Sequence, residues 1–275
     1  MKKLSNPNQK MDYITMLRYK VTGILTLLAF LFISYGCVND PQGTDNGGND
    51  FSYDHQQSPG FSANDMLSDE SFSELIVEID YMPGYEPNPR ALDSLKAFLE
   101  QRLNKTAVTI LEPSQIPTGD QNSYSASDVR EIEAQERNNF TEENILSTYM
   151  LITDGYYTQQ NVLGLAYYNT SNAFFGPAYD DASTGFGSLT RFQVEAISFR
   201  HEFGHLFGLV NIDGSGTEMQ TEHQDDQNGN HCDNENCLMY YAMERSDLIE
   251  QLFNDETIPA LDANCIEDLQ ANGGQ

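Results

Sequence analysis

Residues 190–210, TRFQVEAISFRHEFGHLFGLV, form the longest run of apolar residues at helical spacing in the chain. This spacing predicts an amphipathic or buried helix. Within the run stand His201, Glu202 and His205. Because residues four apart lie on one face of a helix, the two imidazoles are close enough to bind the same metal ion.

Glu202, between the two histidines, suits the chemistry of a metal site that activates water. It points off the histidine face but remains near it, so it can accept a proton from water and later return it to a leaving amine. Apolar side chains flank the polar trio, as a buried active-site helix requires: Phe199, Phe203, Leu206 and Phe207. The pattern predicts a zinc site in which His201 and His205 are ligands and Glu202 is catalytic.

Three signals mark the end of this helix. Asn211 and Gly214 are typical of residues that end a helix. Gly208, three residues after the second histidine, is an earlier place where the chain can turn back toward the metal.

With Gly208 included, the sequence resembles the metzincin metallopeptidases, whose extended motif is His-Glu-x-x-His-x-x-Gly-x-x-His or Asp. Asn211 occupies the third-ligand position of that spacing and is a poor zinc ligand. Downstream, residues 231–239, HCDNENCLM, are similar to the archaemetzincin run His-Cys-x4-Cys-x-Met. The resemblance implies that His231 is the third ligand, that Met239 forms the Met-turn beneath the metal, and that residues 211–230 are an insertion.

Other residues compete for two of these roles. His223, flanked by Glu222 and Asp225, is the rival third ligand, and Asp213 is a less favoured candidate for the same role. Tyr241 lies two residues after Met239, where astacin-like and serralysin-like metzincins keep a tyrosine that can hydrogen-bond the oxyanion. Tyr240 and simple packing compete for that explanation.

The remaining patterns predict an α+β fold, with a mixed twisted sheet backed by helices and a small, mostly irregular or helical C-terminal subdomain. Strands are predicted at 73–81, 107–111, 147–154 and 162–169, and helices at 90–104, 127–138, 242–253 and 259–271. In metzincins, a strand before the active-site helix binds the substrate by backbone pairing. The resemblance implies that this strand is 163–169 or 170–175.

The N-terminus has the pattern of an export signal. Five basic residues precede a mostly apolar run of thirteen residues, Val21–Ile33. As a helix this run rises about 20 Å, too little for a bilayer core of about 30 Å. Residues 1–36 therefore predict a secretory signal peptide. The Gly36-Cys37 junction resembles a bacterial lipobox, which implies lipidation of Cys37; a simple signal peptide and an uncleaved anchor are the alternatives.

Behind the signal, residues 37–69 are polar and without periodicity, which predicts a flexible tether, and residues 70–275 form the metzincin-like domain. The chain has 14 basic and 42 acidic residues, and without residues 1–36 it would have 9 and 41, a formal charge of −32. This charge argues against nucleic acid as a partner. It would also repel an anionic lipid surface, so the predicted membrane contact is the lipid anchor.

These inferences together predict an exported, monomeric lipoprotein on a bacterial membrane, the outer membrane if there is one, that faces the periplasm or the cell surface.

Three cysteines remain beyond Cys37: Cys232, Cys237 and Cys265. The archaemetzincins use this cysteine run and a later Cys-x-x-Cys for a second zinc ion, but the chain has no Cys-x-x-Cys. A disulfide between two of the three suits an exported protein better. A second pattern resembles the start of a calcium loop, in which side chains with oxygen atoms alternate along the chain. Ca²⁺ is therefore a further candidate ligand, and a solvated acidic loop is the default interpretation. The residues are Asp225, Asp226, Asn228, Asn230 and Asp233.

Three functions fit the sequence. The first is a zinc endopeptidase that acts on proteins or peptides. The second is a lipoprotein that binds zinc or a protein partner without cleavage, which the replacement at Asn211 favours. The third is a gluzincin protease with a glutamate as third ligand, which Gly208 and the Met-Tyr pair fit less well; its candidate ligands are Glu218, Glu222 and Glu235.

Overall fold

The protein is built around a six-stranded sheet, in a computed structural model that describes residues 52–184, 189–212, 216–252 and 257–275. In chain order, the strands of this part of the chain are β1 (Glu74–Tyr81), β2 (Ala107–Ile110), β3 (Ser114–Gln115), β4 (Ser123–Tyr124), β5 (Ile145–Thr153), β6 (Tyr156–Tyr157), β7 (Gly164–Tyr168) and β8 (Ser171–Phe175). The short strands β4 and β6 pair with each other, outside the main sheet.

The order in the main sheet is β2, β1, β5, β8, β7, and β3 also pairs with β1. β1 runs parallel to β2, β3 and β5, and β5 runs parallel to β8. β7 is antiparallel to β8 and forms an edge of the sheet. β5 is buried along almost its whole length, as expected of an inner strand covered on both faces. The predicted mixed sheet backed by helices is confirmed.

Helices pack around this sheet. They are α1 (Ala63–Leu67), α2 (Pro89–Arg102), α3 (Ala126–Glu136), α4 (Gly176–Ser183), α5 (Arg191–Leu206), a 3-10 turn (Tyr241–Glu244), α6 (Ile249–Leu252) and α7 (Ala263–Ala271). Thr190 and Gln193 form a reciprocal capping box that starts α5. α5 packs against α2, α4 and β7, and Phe199 of α5 contacts Phe174 of β8 with 4.7 Å between ring centroids.

Helix α5 is shorter than its apolar pattern predicted. α5 ends at Leu206, not at residue 210. Gly208 has a φ of 76°, the left-handed region that favours glycine, so the chain turns at the earlier of the predicted positions. Asn211 lies beyond the turn, and Gly214 lies outside the described residues. The turn after α5 is itself buried, including Leu209 and Val210. Its residues are therefore apolar, and the apolar pattern of the sequence extends beyond the end of the helix.

The C-terminal helices are also shorter than predicted. The segment 242–253 is the 3-10 turn followed by α6, with residue 253 outside the described residues. α7 begins at Ala263 instead of residue 259, because the Asp262 carboxylate caps it by accepting the Cys265 N–H at 2.9 Å.

The folded part begins before residue 70, where the sequence predicted a tether. α1 lies within the predicted tether, and its Met66 and Leu67 are fully buried. The Tyr53 hydroxyl donates to Ser62 Oγ at 2.6 Å. A few apolar side chains therefore anchor a segment whose average composition is polar.

The predicted signal peptide, Cys37 and the tether up to residue 51 lie outside the described residues. Of the helices in the described part of the chain, none combines the length and the apolar character that crossing a bilayer requires.

Candidate metal centre

Helix α5 carries His201, Glu202 and His205 into the interior of the protein. His201 is fully buried, and Glu202 and His205 are 1% and 8% exposed. The Nε2 atoms of the two histidines are 3.2 Å apart. The i and i+4 spacing thus brings the two rings together as the sequence predicted.

His231 reaches the same point from the loop that follows α5. Its ring centroid lies 5.3 Å from that of His201 and 5.2 Å from that of His205. The Nδ1 atom of each ring lies near a main-chain carbonyl oxygen: His201 to Leu238 at 2.7 Å, His205 to Leu209 at 3.3 Å and His231 to Asn228 at 2.8 Å. A ring that donates from Nδ1 keeps the Nε2 lone pair for a metal ion.

These three nitrogens fit a zinc ion. Two nitrogens that share tetrahedral Zn²⁺ at 2.0–2.1 Å lie about 3.4 Å apart, close to the 3.2 Å between His201 and His205. Nε2 of His231 is buried and has no hydrogen-bond partner among the described residues. Burial and the neighbouring His231 lower the pKa of His201 to about 4, and burial and both neighbouring histidines lower that of His205. Neutral imidazoles are the form that binds metal.

Glu202 lies between these ligands and the edge strand β7. Burial, and then the negative charge of Glu244, raise the pKa of Glu202 well above its usual range. Glu202 accepts a hydrogen bond from the Ala166 N–H of β7, and its Oε1 has no hydrogen-bond partner among the described residues. A Cβ atom on Gly164 would lie 2.8 Å from this Oε1, so the backbone of β7 passes directly against the carboxylate.

Met239 packs beneath α5. It is fully buried, and a Cβ atom on Gly204 would lie 2.2 Å from its Sδ. Its neighbour Leu238 provides the carbonyl that holds His201. The structure therefore places Met239 on the backbone of the histidine helix, the location that the resemblance implied for a Met-turn.

Tyr241 lies at the rim of the centre. It lines a pocket of about 370 Å³ together with His231 and Glu244. Its ring contacts Tyr240, with 4.7 Å between centroids. Of the two tyrosines, only Tyr241 lines this pocket.

The rival third ligands do not join the group at α5. The Asn211 amide donates to Gln224 at 2.8 Å, His223 belongs to a second cluster, and Asp213 lies outside the described residues. The glutamates that a gluzincin would use are exposed and outside the group: Glu218, Glu222 and Glu235.

Glu244 is part of the centre, although the sequence did not predict it. Its Oε2 lies 3.6 Å from Nε2 of His231, and its ligand atom lies within 4.8 Å of those of all three histidines. The Leu163 N–H donates to the Glu244 carbonyl at 2.8 Å, which holds this residue beside the start of β7. The only feature of the sequence that could have indicated this role is the position of Glu244, five residues after Met239.

A second group of side chains could hold a metal ion: His223, Cys232, Asp262 and Cys265, with Cys237 beside it. His223 Nδ1 is 3.4 Å from Cys232 Sγ and 4.0 Å from Cys265 Sγ, and Cys237 Sγ is 3.6 Å from Cys265 Sγ. Two sulfurs that share Zn²⁺ at about 2.3 Å lie about 3.8 Å apart. His223 Nε2 is also 2.8 Å from Oδ2 of Asp268, a carboxylate that can orient the ring.

The predicted disulfide is wrong, since Cys232, Cys237 and Cys265 are all free and buried. Hydrogen bonds from the Cys232 and Cys265 thiols lower the pKa of Cys237 to about 4, although burial opposes this. The thiolate is the form of cysteine that binds metal. The sequence predicted only cysteines as partners of these cysteines, whereas the structure also brings His223 to them.

The second cluster shares chain segments with the first. Cys232 directly follows His231, and Cys237 lies two residues before Met239. The Cys237 sulfur accepts the Met239 N–H at 3.4 Å. The cysteine cluster is therefore joined, by sequence and by this hydrogen bond, to the segments that carry His231 and Met239.

The predicted calcium loop is not supported. The Asp225 carboxylate accepts the N–H of Gln227 at 2.8 Å and of Asn228 at 3.3 Å, which makes it a turn cap. Within the described ranges, the two groups that could hold a metal ion include none of the five proposed calcium ligands.

No family model matches the sequence, and no curated protein matches it. Solved structures do match. One of them is an archaemetzincin. This protein, from Methanopyrus kandleri, is 17% identical, with a TM-score of 0.46 over 74% of this chain and 96% of that chain. Metalloproteinase-II from Bacteroides fragilis is 12% identical, with a TM-score of 0.42 over 75% of this chain and 54% of that chain.

Proposed function

We propose that the protein is a zinc-dependent endopeptidase, with His201, His205 and His231 as zinc ligands and Glu202 as general base and acid. The observation that carries this proposal is the convergence of three buried Nε2 atoms beside a buried carboxylate. When bound there, Zn²⁺ supplies a Lewis acid that polarises a peptide carbonyl and makes water more acidic.

Glu202 performs the proton transfers. Its unpartnered Oε1 can accept a proton from the attacking water. The same carboxyl then donates the proton to the leaving amine. The Ala166 N–H holds Glu202 in place during both transfers.

The strand β7 is the surface that favours a peptide as the substrate. It lies at an edge of the sheet, and its backbone contacts Glu202. An extended peptide can pair with such an edge and bring its carbonyl to the metal. Of the two segments that the resemblance suggested, β7 is at the edge, whereas β8 is enclosed between β5 and β7.

The sequence argument for a binding protein without cleavage is weaker in the structure. It depended on the poor ligand Asn211, but His231 supplies the third nitrogen from another position. Export and lipidation at Cys37 remain proposals from the sequence.

The second cluster supports a structural metal site. We infer that His223, Cys232, Cys237 and Cys265 hold a second Zn²⁺. Four nitrogen and sulfur ligands are the usual set of a closed structural zinc site. A bound ion would also keep the three thiols reduced in an oxidising compartment.

Two alanine substitutions separate the histidine roles. His231→Ala should lose one zinc ion per chain and peptide cleavage, because one ligand of the first centre is gone. His223→Ala should lose the other zinc ion and keep cleavage. Metal analysis and peptide turnover measure both. His55→Ala is the control, since His55 packs on Phe140 outside both clusters. Full zinc occupancy in His231→Ala would contradict the ligand assignment.

Substitution of Gly164 tests the contact between β7 and Glu202. Gly164→Ala should lower turnover by about a hundredfold with zinc retained. The new methyl group would lie too close to the Glu202 carboxylate and would displace it from its position. Gly216→Ala is a matched control, since a Cβ atom there meets nothing within 4 Å. Equal turnover in both variants would show that Glu202 does not depend on this strand.

A further inference from the structure

We infer that Glu244 is a fourth ligand of the first centre in the resting protein, where it occupies the coordination position that the substrate must take. This inference rests on the proposed function. Four protein ligands close a zinc site, whereas a catalytic site keeps one position open. The first centre would therefore be closed at rest and opened by movement of one side chain.

Distance is the first support. Glu244 Oε2 lies 3.6 Å from His231 Nε2. A nitrogen and an oxygen that share tetrahedral zinc at their usual bond lengths lie about 3.4 Å apart. His231 Nε2 has no hydrogen-bond partner among the described residues, and the ligand atoms of Glu244 and the three histidines all lie within 4.8 Å of one another.

Charge is the second support. The Glu244 side chain is only 26% exposed, and it lies close enough to the buried Glu202 for its charge to act there. A largely buried carboxylate charge is costly unless a cation lies beside it. The adjacent Arg245 is engaged with Asp247 at 3.2 Å. A divalent ion bound by Glu244 and the histidines provides the compensation.

Room to move is the third support. Two backbone hydrogen bonds join this segment to residues 161–163, from Leu163 N–H to the Glu244 carbonyl at 2.8 Å and from Ser246 N–H to the Asn161 carbonyl at 2.9 Å. The Glu244 side chain, in contrast, lines the pocket of about 370 Å³ beside Tyr241. It can rotate into this pocket while the main chain stays in place.

Acetohydroxamate, a small anion that binds zinc, tests whether the fourth position is occupied. Its affinity for the zinc-loaded protein is measured by calorimetry, for wild type, Glu244→Gln, Glu244→Asp and Asp247→Asn. We expect Glu244→Gln to bind it at least tenfold more tightly than wild type. Glu244→Asp should also bind it more tightly, because its oxygen falls about 1.5 Å short. Asp247→Asn should behave as wild type.

Two results would overturn the role of Glu244. Equal affinity in wild type and Glu244→Gln would show that the position is already open. Wild-type affinity in Glu244→Asp, which keeps the charge, would show that Glu244 acts through its charge alone. Two other measurements would show a failure of the proposed function. Metal analysis would find no zinc at the histidines, or the zinc-loaded wild type would cleave no peptide. Thermal unfolding of each variant checks that the fold is intact.

Discussion

Glu202→Gln should abolish peptide cleavage and leave both zinc ions in place. The amide has nearly the shape of the carboxylate but cannot accept a proton at neutral pH, so only the proton transfers are lost. General acid–base catalysis contributes a factor of about 10² to 10⁴ to the rate, and we expect turnover to decrease by at least that factor. Turnover of a peptide library and zinc per chain are the two measurements.

Glu195→Gln is the matched control for this substitution. Glu195 is also a buried glutamate of α5, but its carboxylate binds Arg191 and the Asn88 N–H, away from the centre. Cleavage should therefore persist in Glu195→Gln. If Glu202→Gln cleaved peptides as fast as wild type, the proposed mechanism would be wrong. A fully zinc-loaded wild type without any turnover would favour a binding function instead.

Cys265→Ser should reduce the zinc content from two ions to one and lower the melting temperature by roughly 10 °C or more. Serine is a poor zinc ligand, and structural zinc sites contribute several kcal/mol to folding. Each kcal/mol corresponds to about 2–4 °C in a domain of 150–250 residues. Metal analysis and thermal unfolding of wild type and variant measure the two effects.

Removal of all metal supplies the control. Metal-free wild type and metal-free Cys265→Ser should melt at nearly the same temperature, because the variant differs mainly in its ability to bind the ion. A difference that persists without metal would assign the effect to packing. Mass spectrometry of a non-reduced digest gives a second check, since a Cys237–Cys265 disulfide in the native protein would exclude the second zinc site.

Local patterns predicted the helix of the first centre well. The 3.6-residue spacing and the i, i+4 histidines are both set within one helix, where sequence separation translates directly into distance. The strands β1, β2 and β5 were predicted within about two residues for the same reason. Turn positions were predicted less well, because a buried turn such as 207–210 has the apolar composition of a helix.

Residues that meet across the fold were predicted less completely. His231 was placed at the metal only through the resemblance, with His223 as its rival. Glu244 comes to the centre because its carbonyl binds Leu163, a residue about eighty positions earlier. His223 joins Cys265 across a gap of 42 positions. No periodicity connects such pairs, so the sequence alone could not assign them to a shared site.

The sequence by itself determined the chemistry available to this protein: two imidazoles and a carboxylate on one helix, and a later stretch of histidine and cysteines. Only the tertiary structure decided how these groups are shared, with His231 and Glu244 at the first centre and His223 at the cysteines. The physical reason is that a helix specifies distances among its own residues. Contacts between distant segments, in contrast, depend on how the sheet, the helices and the buried loop pack together.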